Sequence, residues 1–133
     1  MTLEAGASTQ PRVGVVIVMF NAVEHWPRLR AALGAQRFKS FQTIVIDNAA
    51  GVDARLSDAD MPEGSRLVQL PENVGYAAAN NRAVALLQTE FLAFLNPDAF
   101  PEPEWLENLV AAADRNPDSA AFGSTMLRDG ELG

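Results

Sequence analysis

A chain of 133 residues that is 48% hydrophobic and 20% charged can bury one compact core and has little room for a second domain. Its net charge of −7, with ten scattered basic residues, excludes an extended nucleic-acid surface. An anionic ligand would need a helix N-terminus or a divalent cation. The absence of cysteine excludes disulfides and thiolate metal sites, and no apolar run is long enough to span a bilayer.

Residues 1–12 lack the basic start and apolar centre of a signal peptide and read as a disordered lead-in. Val13–Phe20, VGVVIVMF, is a continuous β-branched run, the pattern of a strand buried on both faces. Glu24–Gln36 carries Trp26, Leu29, Ala32 and Leu33 at helical spacing, with Pro27 tolerated in the first turn. A second strand is expected at Thr43–Ile46, ending in Asp47-Asn48. Residues 49–65, rich in Ala, Gly, Asp and Ser, predict a loop with one short helix. Arg66–Leu70 predicts a short third strand, and Pro71–Gly75 is turn chemistry. Tyr76–Gln88 predicts a helix. Phe91–Leu95 predicts another buried strand, closed by Asn96-Pro97-Asp98. Glu102–Arg115 places Trp105, Leu106, Leu109, Val110 and Ala113 on one helical face, stopped by Asn116-Pro117. Ala120–Gly123 predicts a fifth strand.

Strands and helices alternating in this way imply right-handed β-α-β units and a mostly parallel sheet. In such sheets a ligand sits outside the carboxyl ends of the strands. The long strands there end in Asn21, in Asp47-Asn48 and in Asn96-Pro97-Asp98, so the expected site is acidic and amide-rich. Asp98 has two readings. A carboxylate at a strand end can hold Mg²⁺ or Mn²⁺, and Asn-Pro-Asp-Ala is also close to an ideal type I turn. Asp47 can accept a hydrogen bond from a base or ribose, or can simply satisfy the loop that it begins. Gly75 permits a positive φ. Asn80 and Asn81 each cost about 0.6 kcal/mol of helix propensity relative to Ala. Because neighbours on a helix point about 100° apart, one of the two must leave the solvent face.

His25, the single histidine, has no second His or Cys to complete a transition-metal site and receives no catalytic role. Trp26 and Trp105 read as packing residues, and Glu102, Glu104 and Glu107 as helix-start charge facing water. The chain has no G-x-S-x-G elbow, no Walker loop and no G-x-G-x-x-G after its first strand.

Five pieces, in order, carry a resemblance: VVIVMFN (15–21), TIVIDNA (43–49), ENVGYAAANNRA (72–83), FLAFLNPDAF (91–100) and PEPEWLENLV (101–110). Together they resemble the family 2 glycosyltransferases, inverting enzymes of the GT-A fold, and within them a rhamnosyltransferase-like branch. The resemblance implies a three-layer, Rossmann-like α/β domain over residues 13–133 with a mostly parallel sheet flanked by helices. It implies that Phe20 and Asn21 border the base, that Asp47 hydrogen-bonds it and that Asn48 supports the loop. Gly75 and Asn81 would shape the nucleotide-sugar pocket. Asn96-Pro97-Asp98 would stand for the D-x-D motif, with Asp98 holding Mg²⁺ or Mn²⁺ and Asn96 near the ribose or sugar. The chain departs from the family pattern at Asn96 (for the first acid), Met19 (for a small polar residue) and Ala83 (for Gly).

The implied partners are a UDP-, dTDP- or GDP-linked sugar and a glycan or lipid-linked acceptor. No nucleic acid is expected, and a homodimer through an uncovered apolar face is a further expectation. The expected location is cytoplasmic, or peripheral at the inner face of the membrane. The family's general base belongs to a later part, so the expectation is an enzyme whose base lies beyond Gly133. Two rival readings are a non-catalytic nucleotide-sugar-binding or assembly module and a nucleotidyltransferase. The latter wants a Gly-rich basic loop after the first strand, which FNAVEHWPRLR does not supply.

Overall fold

The structure is a computed structural model and describes residues 10–128. Its centre is strand β1, Val13–Met19, every residue of which is buried. Strand β2, Phe41–Asp47, pairs with it in parallel from Val13↔Phe41 to Met19↔Asp47. Strand β3, Arg66–Gln69, pairs with β2 from Ile44↔Arg66 to Asp47↔Gln69. Strand β4, Phe91–Phe94, lies on the other side of β1, from Val13↔Phe91 to Val16↔Phe94. The order is β3-β2-β1-β4 and every pairing is parallel.

A strand whose neighbours are parallel on both sides is covered on both faces, which is why β1 is apolar without alternation. Its side chains nonetheless divide with period 2. Val13, Val15, Ile17 and Met19 pack with Trp26, Leu29 and Leu33 of helix α1, Trp26–Gly34, and with Leu106 and Val110 of helix α3, Trp105–Arg115. Val16 and Val18, with Ile44 and Ile46, pack against Ala79 and Ala83 of helix α2, Tyr76–Val84. The result is a three-layer α/β domain. Ala79 and Ala83 are completely buried, and their short side chains let α2 lie close to the sheet. On the same face, a Cβ on Gly14 would come within 2.6 Å of Leu87 Cδ1 and 2.9 Å of Thr89 Oγ1, so the bare backbone there makes room for the α2–β4 connection.

That connection decides the location of the cleft. The first three strands step outward from β1 to β3, then α2 recrosses the sheet and delivers β4 to the opposite flank of β1. The strand order reverses at β1, and a crevice opens between the carboxyl ends of β1 and β4.

Several expectations are corrected. The Ala120–Gly123 segment is not a strand: it is exposed and pairs with no strand among the described residues, because a short apolar run becomes a strand only beside an edge that accepts it. The segment 49–65 holds two short 3₁₀ turns, Val52–Ala54 and Asp58–Asp60, rather than one helix. The helix expected from Glu24 begins with a 3₁₀ turn, Val23–His25, before α1. The helix expected to reach Gln88 ends at Val84, and the one expected from Glu102 starts at Trp105. Of the expected lead-in, residues 1–9 lie outside the described residues. Arg12 is already tied down, its N–H donating to Ser40 O (2.9 Å) and its guanidinium to Glu90 and Asp114. No helix among the described residues is long and apolar enough to cross a membrane. Leu92 and Phe94 are exposed on edge strand β4.

Candidate functional site

A cleft of about 400 Å³ fills the crevice at the strand reversal. The β1 side contributes Phe20, Ala22 and His25, and the β4 side contributes Asn96, Pro97 and Asp98. Asn48 and Asn73 enter from the loops after β2 and β3, and Tyr76 from the start of α2. The chain turns out of β1 through Asn21 at φ 50°, a left-handed conformation that asparagine adopts more readily than most residues. Asn21 therefore makes the corner and does not line the cleft, whereas Phe20, half exposed, does. Met19, at the position where a polar residue is usual, points into the core and offers the site only its backbone, its carbonyl accepting from Asn48 N–H at 2.8 Å.

The loop after β2 is set by two polar side chains. Asp47 is buried; its Oδ1 accepts from Ala50 N–H at 3.0 Å, which closes a turn through Ala49 at φ 63°. Its Oδ2 is buried with no hydrogen-bond partner; the nearest cation, Arg55 Nε, is 3.8 Å away. Asp47 does not reach the cleft wall, and its neighbour Asn48 does. Asn48 donates from Nδ2 to Asn73 Oδ1 (3.0 Å) and accepts at Oδ1 from Val74 N–H (3.0 Å). Asn73 Oδ1 also accepts from Gly75 N–H at 2.9 Å, two residues on. This clip joins the loops after β2 and β3. It ends at Gly75, whose φ of 85° and ψ of 162° start α2 in a conformation nearly closed to any residue with a Cβ.

At Asp98 the turn is present and the carboxylate faces the cleft. Ala99 N–H donates to Asn96 O at 3.1 Å, so the segment is a turn, and the side chain is exposed on the cleft. Beside it Asn96 Oδ1 accepts from Tyr76 O–H at 3.2 Å, linking the β4 turn to the first residue of α2. Among the described residues no three carboxylate or histidine groups gather in one place. The hard oxygens of Asp98 and Asn96 suit Mg²⁺ or Mn²⁺ as a partial ligand set, one that phosphate oxygens and water would complete.

Of the two asparagines in α2, Asn80 is the buried one, donating from Nδ2 to Tyr76 O at 3.0 Å. Asn81 is exposed and does not line the cleft, contrary to the expectation that it shapes the pocket, because its position on the helix turns it from the sheet. The structure thus brings together Phe20, Asn48, Asn96 and Asp98 on one wall system, with Gly75 framing it. Asn73, Tyr76 and His25 are additional. The Asn-Val-Gly spacing is an Asx-turn signal that pointed to Asn73; the single tyrosine of the chain beside a glycine was a weaker sign.

The sequence pattern described as "Glycosyl transferase family 2" matches residues 14–133. A pre-mycofactocin glycosyltransferase of Mycobacterium tuberculosis is 30% identical over 99 residues, covering 74% of this chain and 20% of that protein. A glucosyl-dolichyl phosphate glucuronosyltransferase of Haloferax volcanii is 34% identical over 58 residues, 44% of this chain and 18% of that protein. Among solved structures, S. aureus TarS 1-349 in complex with UDP-GlcNAc superposes with a TM-score of 0.67 at 21% identity, over 80% of this chain and 32% of that one. A mannosyltransferase from Pyrobaculum calidifontis, in complex with GDP-Man and Mn²⁺, gives 0.68 at 22% identity, over 78% and 32%. The chain thus spans about a fifth of those two relatives and about a third of those two structures.

Proposed function

The chain belongs to glycosyl transferase family 2 and has the GT-A fold, and from that premise we propose that it is the donor-binding part of an enzyme that transfers a sugar from a nucleoside diphosphate to an acceptor hydroxyl. One observation carries the reading: amide, aromatic and carboxylate side chains from three separate strand ends converge on a single cleft where the strand order reverses. The similarity to structures that hold UDP-GlcNAc and GDP-Man supports the same class of ligand here.

In this proposal Phe20 and Asn48 receive the nucleoside, while Asp47, buried behind the cleft wall, sets the loop through its hydrogen bond from Ala50 N–H. Asn96, held by Tyr76, stands beside the ribose or sugar. Asp98, with Asn96, would hold Mg²⁺ or Mn²⁺. When bound, such a cation would offset charge on the departing diphosphate. The acceptor oxygen attacks the anomeric carbon as the bond to the diphosphate breaks, with inversion, and its proton goes to a base outside the described residues.

Calorimetry of the chain with UDP, dTDP and GDP, with and without Mn²⁺, tests this. One of the three should bind, more tightly with the cation, and Asp98→Ala should remove the cation-dependent gain while leaving cation-free binding in place. An unchanged gain in that variant refutes the role of Asp98.

A further inference from the structure

Within the cleft, the proposed donor leaves one side chain unused. We propose that His25 donates a hydrogen bond to the diphosphate of the bound nucleotide, from the β1 side of the crevice that Asp98 lines from the β4 side. This rests on the donor-binding reading given above.

The argument begins with charge. A diphosphate carries about two to three negative charges near neutral pH and needs donors or cations around it. Three of the residues on the cleft are asparagines and one is a carboxylate, and of the ten that line it only His25 can carry a positive charge. An imidazole always carries at least one N–H donor.

Position supports the same role. His25 ends the 3₁₀ turn after β1, its own N–H donating to Ala22 O at 3.1 Å, so its backbone is fixed at the cleft mouth. The ring stands edge-on to Phe100, with centroids 6.0 Å apart and planes at 62°. Phe100 in turn lies beneath the Arg28 guanidinium, 3.9 Å from the ring centre, which restrains it. Nε2 is 3.7 Å from Glu24 Oε1, beyond hydrogen-bond range, and the side chain is 38% exposed. An oriented donor remains open to a ligand. A merely solvated histidine would occupy the same place without touching the nucleotide, and the two cases separate by experiment.

The full chain, its His25→Ala variant and its His25→Gln variant are titrated in Mn²⁺ with UDP, GDP and dTDP, and with uridine, guanosine and thymidine as probes that lack the diphosphate. His25→Ala should weaken the diphosphate that binds best by about tenfold, the size of one hydrogen bond to a charged group. His25→Gln, which keeps an N–H donor, should recover part of that loss, and nucleoside binding should not change in either variant. Equal diphosphate binding by His25→Ala and the parent chain overturns the inference and leaves the donor-binding reading standing. Equal losses for nucleoside and diphosphate also overturn it, because they mark a scaffold effect. Failure of the parent chain to bind any of the three diphosphates overturns the donor-binding reading and the inference together. Should His25→Ala melt too low to assay, the His25→Gln titration decides: a loss of less than tenfold for the diphosphate alone supports the contact, and unchanged diphosphate binding or an equal loss for the nucleoside rejects it.

Discussion

Asp47 and Ala49 show how much a single loop residue can carry. Burial of the Asp47 carboxylate would be costly without partners, and it has one firm hydrogen bond, at Oδ1, plus Arg55 at the distance of a loose ion pair. Its second oxygen is buried without a hydrogen bond, which is a poor arrangement for stability. The turn that creates it forces Ala49 to φ 63°, in the left-handed region that costs a residue with a Cβ about 1–2 kcal/mol. Glycine is free of that penalty but loses about 0.5–1 kcal/mol through the greater freedom of its unfolded chain. Ala49→Gly should therefore raise stability by up to about 1 kcal/mol, read from chemical or thermal unfolding. A clear loss would show that Ala49 is not strained.

At the scale of elements, the junction between α1 and α3 depends on Gln36, a completely buried amide. Its Nε2 donates to Glu102 O at 2.7 Å, and its Oε1 accepts from Leu106 N–H at 3.1 Å, one of the N–H groups at the start of α3 that have no partner within the helix. Arg37 N–H adds a bond to Pro103 O at 2.9 Å. Leucine at position 36 would match the volume yet leave the buried Leu106 N–H without a partner, a loss worth about 1–3 kcal/mol, whereas Glu102 O would keep its bond from Trp105 N–H. Gln36→Leu should therefore destabilise the fold by about 1–3 kcal/mol, measured by denaturant titration, and Gln36→Glu should do so less at low pH, where a protonated carboxyl can still donate.

For the molecule as a whole, one exposed ion cluster ties together its outer edges. Arg12, at the start of β1, donates to Glu90, just before β4 (2.8 Å), and to Asp114, near the end of α3 (3.0 Å). The hydrogen bond from Arg12 holds the Glu90 carboxyl below its ordinary value of 4.5. A carboxyl whose folded value is depressed adds stability above its unfolded value and loses it as pH falls through the folded one. The melting temperature of the parent chain should therefore exceed that of Glu90→Gln near neutral pH, with the gap closing in acid, once pH falls below the ordinary carboxyl value of 4.5. Both partners are exposed, so the gap should also shrink in high salt. A gap that persists in acid would assign the effect to packing.

The alternation of β-branched runs with amphipathic helices determined by itself that this is a parallel α/β domain, because a strand covered on both faces must be apolar throughout and a helix on its surface must not be. The polar residues ending VGVVIVM, TIVID and FLAF also marked, in the sequence, which end of the sheet would hold the site. Tertiary structure alone decided which of those residues share a wall. The return of α2 across the sheet set Tyr76 against Asn96 and His25 on the same cleft as Asp98, although these pairs lie far apart along the chain. It also turned Asn80 inward and Asn81 outward, a choice of rotation about the helix axis that packing against the sheet makes and that propensity does not. The 120–123 segment failed to become a strand for a related reason: a strand requires an edge to pair with, and an edge is a property of the assembled sheet.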